Sequence, residues 1–197
     1  FSTTEDGVET TVGVNYMGTW LLTNWLLPNM GRSGRSRIIN TSSVTCKMGK
    51  VGDHFFALDP EHYRRFKAYP DSKLAILMFT TELARRLQGR AITVNAVDPG
   101  VVNTGMITMH RWYDPLADIF FRPFIKSPER GAMTAILLAT SDRFANVSGG
   151  FFKSKRQVGL PQSALDVEAC RKLWSQTEQF VAELVRSKLK KGENEGR

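Results

Sequence analysis

The stretch "AITVNAVDPG" (residues 91–100) predicts a β-strand that ends at a defined point. Its apolar and β-branched residues favour an extended backbone, and the Pro-Gly pair at its end marks a break. A helix is predicted before it at 70–87. Another is predicted after it at 127–140, with Ser127 as its N-cap. A strand between two helices is the unit from which parallel sheets are built.

The rest of the chain continues this alternation. Helices are predicted at 3–30 and 166–188, and short strands at 37–43 and 149–152. The pattern predicts an α/β fold in which a parallel sheet has helices on both faces. Three strands are few for an open sheet of this kind, and the sequence has no GxGxxG turn. We therefore expect the chain to be one domain that lacks part of its sheet.

Composition narrows the class of protein. A length of 197 residues with 42% hydrophobic residues fits a globular domain with its own core. The net charge of +8 is spread over several short clusters, which favours solvated loops and helix ends over a nucleic-acid surface. The 2 cysteines and 3 histidines have no disulfide-framework or metal-ligand spacing, so no metal site is expected. The longest apolar stretch, 16–30, is too short to span a bilayer.

A tyrosine and a lysine stand one helical turn apart in "AYPDSKLA" (68–75). On a helix, Tyr69 and Lys73 would share a face, and a nearby ammonium lowers the pKa of a phenol and suits it for proton transfer. The same spacing is common on solvated helix faces, so by itself it leaves both interpretations open. Pro70 is tolerated only in a first helical turn, which predicts that Tyr69 begins the helix.

Other polar and small residues are predicted at the same edge of the sheet. Ser42 and Ser43 end one strand, and Pro99 and Gly100 end the next. The carboxyl ends of parallel strands form the usual ligand site of open α/β folds, and Tyr69 begins the helix between these two strands. The sequence therefore predicts one small site there, although Ser42 fits better as a hydroxyl that satisfies a buried strand end.

These segments resemble the short-chain dehydrogenase/reductase family. "YPDSK" matches the YxxxK motif of that family, and "RIINTSS" matches its strand that ends in a catalytic serine. "VNYMG" matches its helix with a catalytic asparagine, and "VNAVDPGVVNT" matches its PG motif with a following Thr. "TEDGVETTVGVNYMGTWLLTNWLLP", "SKLAILMFTTELARRL" and "LWSQTEQFV" look like the retinol dehydrogenase-like branch, and the resemblance runs through most of residues 3–185.

The resemblance implies a role for each matched residue. Tyr69 would be the general acid/base, and Lys73 would lower its pKa and hold cofactor ribose hydroxyls. Ser43 would bind the substrate oxygen, and Asn15, otherwise an ordinary polar helix residue, would hold a water of the proton relay. Besides Tyr69 and Lys73, the residues implied to contact the cofactor are Pro99, Gly100, Val102 and Thr104.

The resemblance also implies an activity. It is that of an NAD(P)-dependent oxidoreductase that moves a hydride between a nicotinamide cofactor and a lipophilic, retinoid-like alcohol or carbonyl. NADP is favoured over NAD, and steroids, polyprenols and xenobiotic ketones stay open as substrates. The apolar segment 105–125 is expected to form either a substrate lid or plain core.

The glycine-rich turn, the adenine-binding positions and the NNAG strand of the family have no counterpart in the chain. We therefore expect residues 1–185 to be the C-terminal half of a Rossmann-type doubly wound domain, followed by a disordered tail at 186–197. Alone, the chain is expected to be inactive. The alternative is a non-catalytic binding or regulatory protein that keeps this half of the fold. Membrane association through a missing amino terminus, a homodimer, and a location in the cytoplasm or at the endoplasmic-reticulum membrane stay open.

Overall fold

Four strands form one mixed sheet in a computed structural model of the chain. They are β1 (Ser36–Thr41), β2 (Ile92–Asp98), β3 (Phe151–Lys153) and β4 (Arg156–Val158). The strands lie in the order β1-β2-β3-β4, with the first three parallel and the last antiparallel. The structure describes residues 1–32, 34–56, 59–61, 63–102 and 126–195, without the side chains of Arg65 and 190–195.

Helices cover both faces of this sheet. They are α1 (Gly18–Leu26), α2 (Arg65–Arg86), α3 (Pro128–Thr140), α4 (Gln162–Leu165) and α5 (Val167–Glu195). Val94 and Ala96 of β2 are buried in one core cluster, together with residues of α2 and α5. Val97, the next residue along the strand, packs with Leu138 of α3 and Phe152 in a second cluster. Because successive strand residues point to opposite faces, the two clusters lie on opposite sides of the sheet. The predicted α/β fold is confirmed.

The first helix begins later than predicted. Residues 3–9 form a turn closed by a bridge between Thr3 and Glu9, so the prediction of helix from residue 3 is wrong. Glu9 caps the helix instead, because its two carboxylate oxygens accept hydrogen bonds from the backbone N–H groups of Thr11 and Val12, each at 2.9 Å. The helix then passes through a π-helical segment, Val12–Met17, into α1.

Helix α2 begins earlier than predicted, at Arg65. Tyr69 therefore lies in its second turn, and the prediction that it starts the helix is wrong. Pro70 lies inside the helix and has no N–H to donate a hydrogen bond to the carbonyl oxygen of Phe66. Phe66 is itself an exposed residue. Gly49 packs against this point, since a Cβ atom there would lie 2.5 Å from the Pro70 carbonyl oxygen.

The carboxyl-terminal half follows the prediction more closely. Helix α3 has the predicted N-cap, since Ser127 Oγ accepts a hydrogen bond from Arg130 N at 3.4 Å. Strand β4 was not predicted. Its hairpin turn uses Ser154 and Lys155 at positive φ, where sequence rules expect glycine or asparagine. Helix α5 continues to Glu195, beyond the boundary predicted at residue 185. Among the described helices, none has the length and apolarity needed to cross a membrane.

Candidate active site

A cavity of about 760 Å³ opens at the carboxyl ends of β1 and β2. Helix α2 forms one side of it, and the first turns of α3 form another. Its walls include the four residues predicted to be catalytic and most of those predicted to contact the cofactor. These wall residues are Asn15, Ser43, Tyr69, Lys73, Pro99, Gly100 and Val102. Thr104 and the segment 105–125 lie outside the described residues.

The Tyr69 side chain is half-buried next to Ser43 and Lys73. Its hydroxyl shares a hydrogen bond with the Ser43 side chain, and the Lys73 ammonium lies 5.5 Å from the centre of its ring. Burial raises the pKa of Tyr69, the negative charge of Asp98 raises it further, and the bond with Ser43 acts in the opposite direction.

The pKa of Tyr69 thus moves against the prediction from the four-residue spacing. Lys73 Nζ donates a hydrogen bond to the Thr41 carbonyl oxygen at 3.1 Å, and burial lowers the pKa of the lysine itself. In this structure burial of the phenol raises its pKa, and the expected lowering of that pKa by Lys73 stays a prediction.

The two adjacent serines have different surroundings. Ser42 is buried, and its hydroxyl donates to the Lys73 carbonyl oxygen at 2.8 Å, as predicted for a residue that satisfies a buried strand end. Ser43 faces the cavity, where its hydroxyl bonds to Tyr69 and accepts a long hydrogen bond of 3.3 Å from Thr45 N. Of the two hydroxyls, that of Ser43 is the one that lies next to Tyr69.

Asn15 reaches the site from the π-helical segment. Its side-chain N–H donates to Ser72 Oγ at 3.0 Å, and the Ser72 hydroxyl donates to the Tyr69 carbonyl oxygen at 2.8 Å. The asparagine is therefore tied to the turn of α2 that carries Tyr69. Sequence reasoning missed Ser72, which lies within the YPDSK motif and is fully buried.

The turn after β2 closes the cavity on its third side. Gly100 adopts the left-handed φ of +79°, and its N–H donates to Asp98 Oδ1 at 2.9 Å. Val102 packs tightly on α3, because a Cβ atom at Gly131 would lie 2.6 Å from Val102 Cγ2. The Asp98 carboxylate and the close approach at Gly131 were not predicted, since both depend on contacts distant in sequence.

Several residues around the cavity could hold one end of a dinucleotide. The Lys73 ammonium has three N–H donors, of which one bonds Thr41, so the others can serve ribose hydroxyls. The turn at Gly100 allows close approach of a flat ring to the backbone. A pyrophosphate needs backbone N–H groups at a glycine-rich helix start, and the chain has no GxGxxG turn. The described ranges contain no group of three or more His, Cys, Asp or Glu side chains that could hold a metal ion.

Residues 2–112 match the family model of the short chain dehydrogenases. The chain belongs to the short-chain dehydrogenase family. It is 40% identical over 185 residues to human retinol dehydrogenase 13, covering 91% of this chain and 56% of that protein. It is 41% identical over 182 residues to human retinol dehydrogenase 14, covering 90% and 54%. The short-chain dehydrogenase described here thus spans about half the length of the curated relatives it matches, and its predicted resemblance to the retinol dehydrogenase-like branch is confirmed.

Solved structures of other proteins share the fold of this short-chain dehydrogenase. One is an uncharacterized protein from Mycobacterium paratuberculosis, with a TM-score of 0.68 and 28% identity, matching 91% of this chain and 61% of that one. Another, from Beutenbergia cavernae, is described as an NAD(P) dependent gluconate 5-dehydrogenase with bound NADP. Its TM-score is 0.56 at 25% identity, and the match covers 78% of this chain and 55% of that one.

Proposed function

We propose that this chain is the carboxyl-terminal part of an NAD(P)-dependent oxidoreductase that interconverts a lipophilic alcohol and its carbonyl compound. The supporting observation is the convergence of Asn15, Ser43, Tyr69 and Lys73 on one cavity at the carboxyl ends of β1 and β2. In such a reaction the cofactor supplies the hydride chemistry, and the protein supplies proton transfer and positioning.

Tyr69 handles the proton in this proposal. During reduction of a carbonyl, its hydroxyl donates a proton to the substrate oxygen as the carbonyl carbon receives the hydride. During oxidation of an alcohol, the phenolate takes up the hydroxyl proton as the hydride leaves. Ser43, which bonds to Tyr69, donates a hydrogen bond to the same substrate oxygen. Burial raises the pKa of Tyr69, so the phenol is a weaker acid than a free tyrosine in this structure, and a positive charge near it would ease transfer of its proton.

Lys73 and Asn15 position the reacting groups. Lys73 is 9% exposed at the base of the cavity, where its unused N–H donors would hold the ribose next to the nicotinamide ring. Asn15, held through Ser72 to the turn of Tyr69, is placed to orient a water between the lysine and the solvent. Pro99, Gly100 and Val102 would lie against the nicotinamide ring, a role also proposed for Thr104.

The substrate class follows from the cavity walls. They are mainly apolar, and apolar pockets with few polar groups favour lipophilic ligands. The two human relatives are named retinol dehydrogenases, which supports a retinoid-like substrate. NADP is proposed as the cofactor, since the solved structure from Beutenbergia cavernae holds it. The apolar wall residues are Val44, Val97, Val101, Val102, Ala132 and Ala135.

The alternative, a non-catalytic protein that keeps this half of the fold, predicts that none of these side chains matters for turnover. The test is Tyr69→Phe in the natural full-length protein that carries residues 1–197, assayed with retinal and NADPH. We expect loss of at least roughly 10²-fold in kcat, because general acid catalysis contributes that much. The matched control is Tyr63→Phe, which removes a hydroxyl from a ring that packs on Phe1 instead of the cavity. Equal turnover in both variants would contradict the proposal.

Partners and location stay predictions. A homodimer, association with a membrane, and a place in the cytoplasm or at the endoplasmic-reticulum membrane are consistent with the proposed chemistry, but none of them follows from the cavity.

A further inference from the structure

Asp98 is a buried carboxylate at the edge of the candidate active site. It ends β2, is only 2% exposed, and lines the same cavity as Tyr69 and Ser43. One of its oxygens, Oδ1, accepts the hydrogen bond from Gly100 N. A buried charge is costly unless it is paired, so a carboxylate in this position needs a cationic partner.

That partner is Lys153 on the neighbouring strand. Asp98 and Lys153 are register partners in the parallel pair of β2 and β3, and Lys153 Nζ lies 3.2 Å from Asp98 Oδ2. The contact is an ion pair without hydrogen-bond geometry, because Oδ2 accepts no hydrogen bond from any described group. One oxygen of Asp98 therefore contacts the turn after β2, and the other contacts the end of β3.

The hairpin that carries Lys153 is itself fixed in place. Its turn residue Lys155 donates a backbone hydrogen bond of 3.2 Å to Thr134 Oγ1, a buried hydroxyl of α3. On the other side, Lys126 Nζ lies 3.4 Å from both the Pro99 carbonyl oxygen and Ser154 Oγ. Lys153 is thus held near Asp98 by strand pairing and by contacts with α3, which gives the ion pair a defined geometry.

The pair also bears on the charge around Tyr69. The carboxylate of Asp98 disfavours the phenolate, and a cation next to that carboxylate reduces the effect. The π-helical segment and α3 contribute only uncharged side chains to the cavity, Asn15 and two alanines among them. Among the described residues, the other charged or titratable groups that face this region are Lys73 on α2, Lys153 on β3, Lys126 before α3, and the Cys46 thiol after β1.

We propose that Asp98 and Lys153 are positioning residues of the reaction: the carboxylate holds the turn at 99–102 against the end of β2 and places a negative charge at the cavity that Tyr69 lines, and Lys153 stabilises that buried carboxylate. The inference rests on the proposed function of Tyr69.

The first test measures the titration of Tyr69 without cofactor or turnover. In the natural full-length protein, the phenolate absorbance of Tyr69 is obtained as the difference between each variant and the same variant with Tyr69→Phe. Asp98→Asn keeps an acceptor for Gly100 N but removes the charge, so we expect the Tyr69 titration to move to lower pH. The control is Asp71→Asn, which removes a carboxylate from α2 that does not act on Tyr69.

The second test is a double-variant cycle for the ion pair, measured as the urea midpoint of unfolding at neutral pH. Lys153→Met should lower the midpoint in the parent, because it leaves a buried charge unpaired, and should have little effect in the Asp98→Asn background. If the single Lys153→Met variant fails to fold, the double variant should still fold. Lys155→Met is the control, since only the backbone N–H of Lys155 makes a contact that holds the hairpin.

Each result decides a separate point. An unchanged or raised Tyr69 titration in Asp98→Asn would overturn the charge role, and equal losses for Lys153→Met in both backgrounds would overturn the pairing. A protein that shows the expected titration but no turnover would refute the proposed function and leave this inference standing. An active reductase without the titration shift would refute only this inference.

Discussion

The adjacent serines Ser42 and Ser43 offer a test in which one substitution should lower stability and the other should lower activity. Ser42→Ala removes a buried hydroxyl that donates to the Lys73 carbonyl oxygen and bonds the Cys46 thiol. The carbonyl lies within α2, so part of its bonding survives, and we expect a loss of about 1–2 kcal/mol in the free energy of unfolding. Lys73 keeps its bond to Thr41, so kcat/KM should change little.

Ser43→Ala should show the reverse. Its hydroxyl is half-buried and, among the described residues, makes the contact with Tyr69 and accepts a long bond from Thr45 N, so the free energy of unfolding should fall by about 0.5–1 kcal/mol, less than for Ser42→Ala. A donor aimed at a developing charge on the substrate oxygen is worth roughly 10²–10³ in rate, and kcat/KM should fall by that factor.

The assay pairs urea unfolding with steady-state reduction of retinal in the natural full-length protein. Ser42→Ala and Ser43→Ala are measured in one series with the parent. The reasoning is refuted if Ser42→Ala costs as much activity as Ser43→Ala, or if Ser43→Ala is mainly a stability variant. Either result would mean that the orientation of the two hydroxyls at the end of β1 differs from the one described.

Other predictions follow from the same contacts. Lys73→Met should abolish turnover and also weaken binding of NADPH, and a titration by calorimetry that finds unchanged affinity would remove its ribose role. Residues 1–197 alone should bind NADPH weakly, and one-to-one micromolar binding in that titration would contradict the predicted lack of a phosphate site. Exchanging 105–125 for the loop of a relative should reorder substrates by kcat/KM, and an unchanged order would make the segment core. Burial raises the pKa of Asp71, so the folded state takes up a proton more readily than the unfolded chain, and the stability gained from this is lost as pH rises above the unfolded pKa. Asp71→Asn should therefore make stability fall more steeply toward acid pH, and an unchanged curve would contradict the shift.

The parts of the fold that could be predicted are those encoded by neighbouring residues. The strand ends at Thr41 and Asp98 follow from short β-branched runs that stop at polar or Pro-Gly positions. Helix α3 follows from Ser127 and Pro128, which cap and begin it within one turn. Because the carboxyl ends of parallel strands meet at one edge, the position of the candidate site could be inferred from the same local signals.

The parts that could not be predicted depend on contacts between distant residues. Helix α2 extends back to Arg65, although Pro70 alone predicts a later start, and Gly49 from a separate loop packs at the proline. The early turn at 3–9 depends on the Glu9 side chain, which caps a helix that begins seven residues after its predicted start. Local propensity gives a weak preference in such places, and tertiary contacts override it.

The acid strength of Tyr69 shows most clearly why spacing alone is insufficient. A lysine four residues away predicts a lowered pKa for the phenol, yet Lys73 Nζ bonds to the Thr41 carbonyl oxygen, and burial together with the charge of Asp98 raises that pKa. The i,i+4 rule predicts that two side chains share a face, but the sign of a pKa shift is decided by burial and by every charge in the cavity. For Tyr69 to act as a base, a further positive charge has to lie near it. We therefore expect proton transfer by Tyr69, in either direction, to become efficient only in the full-length protein with its cofactor bound.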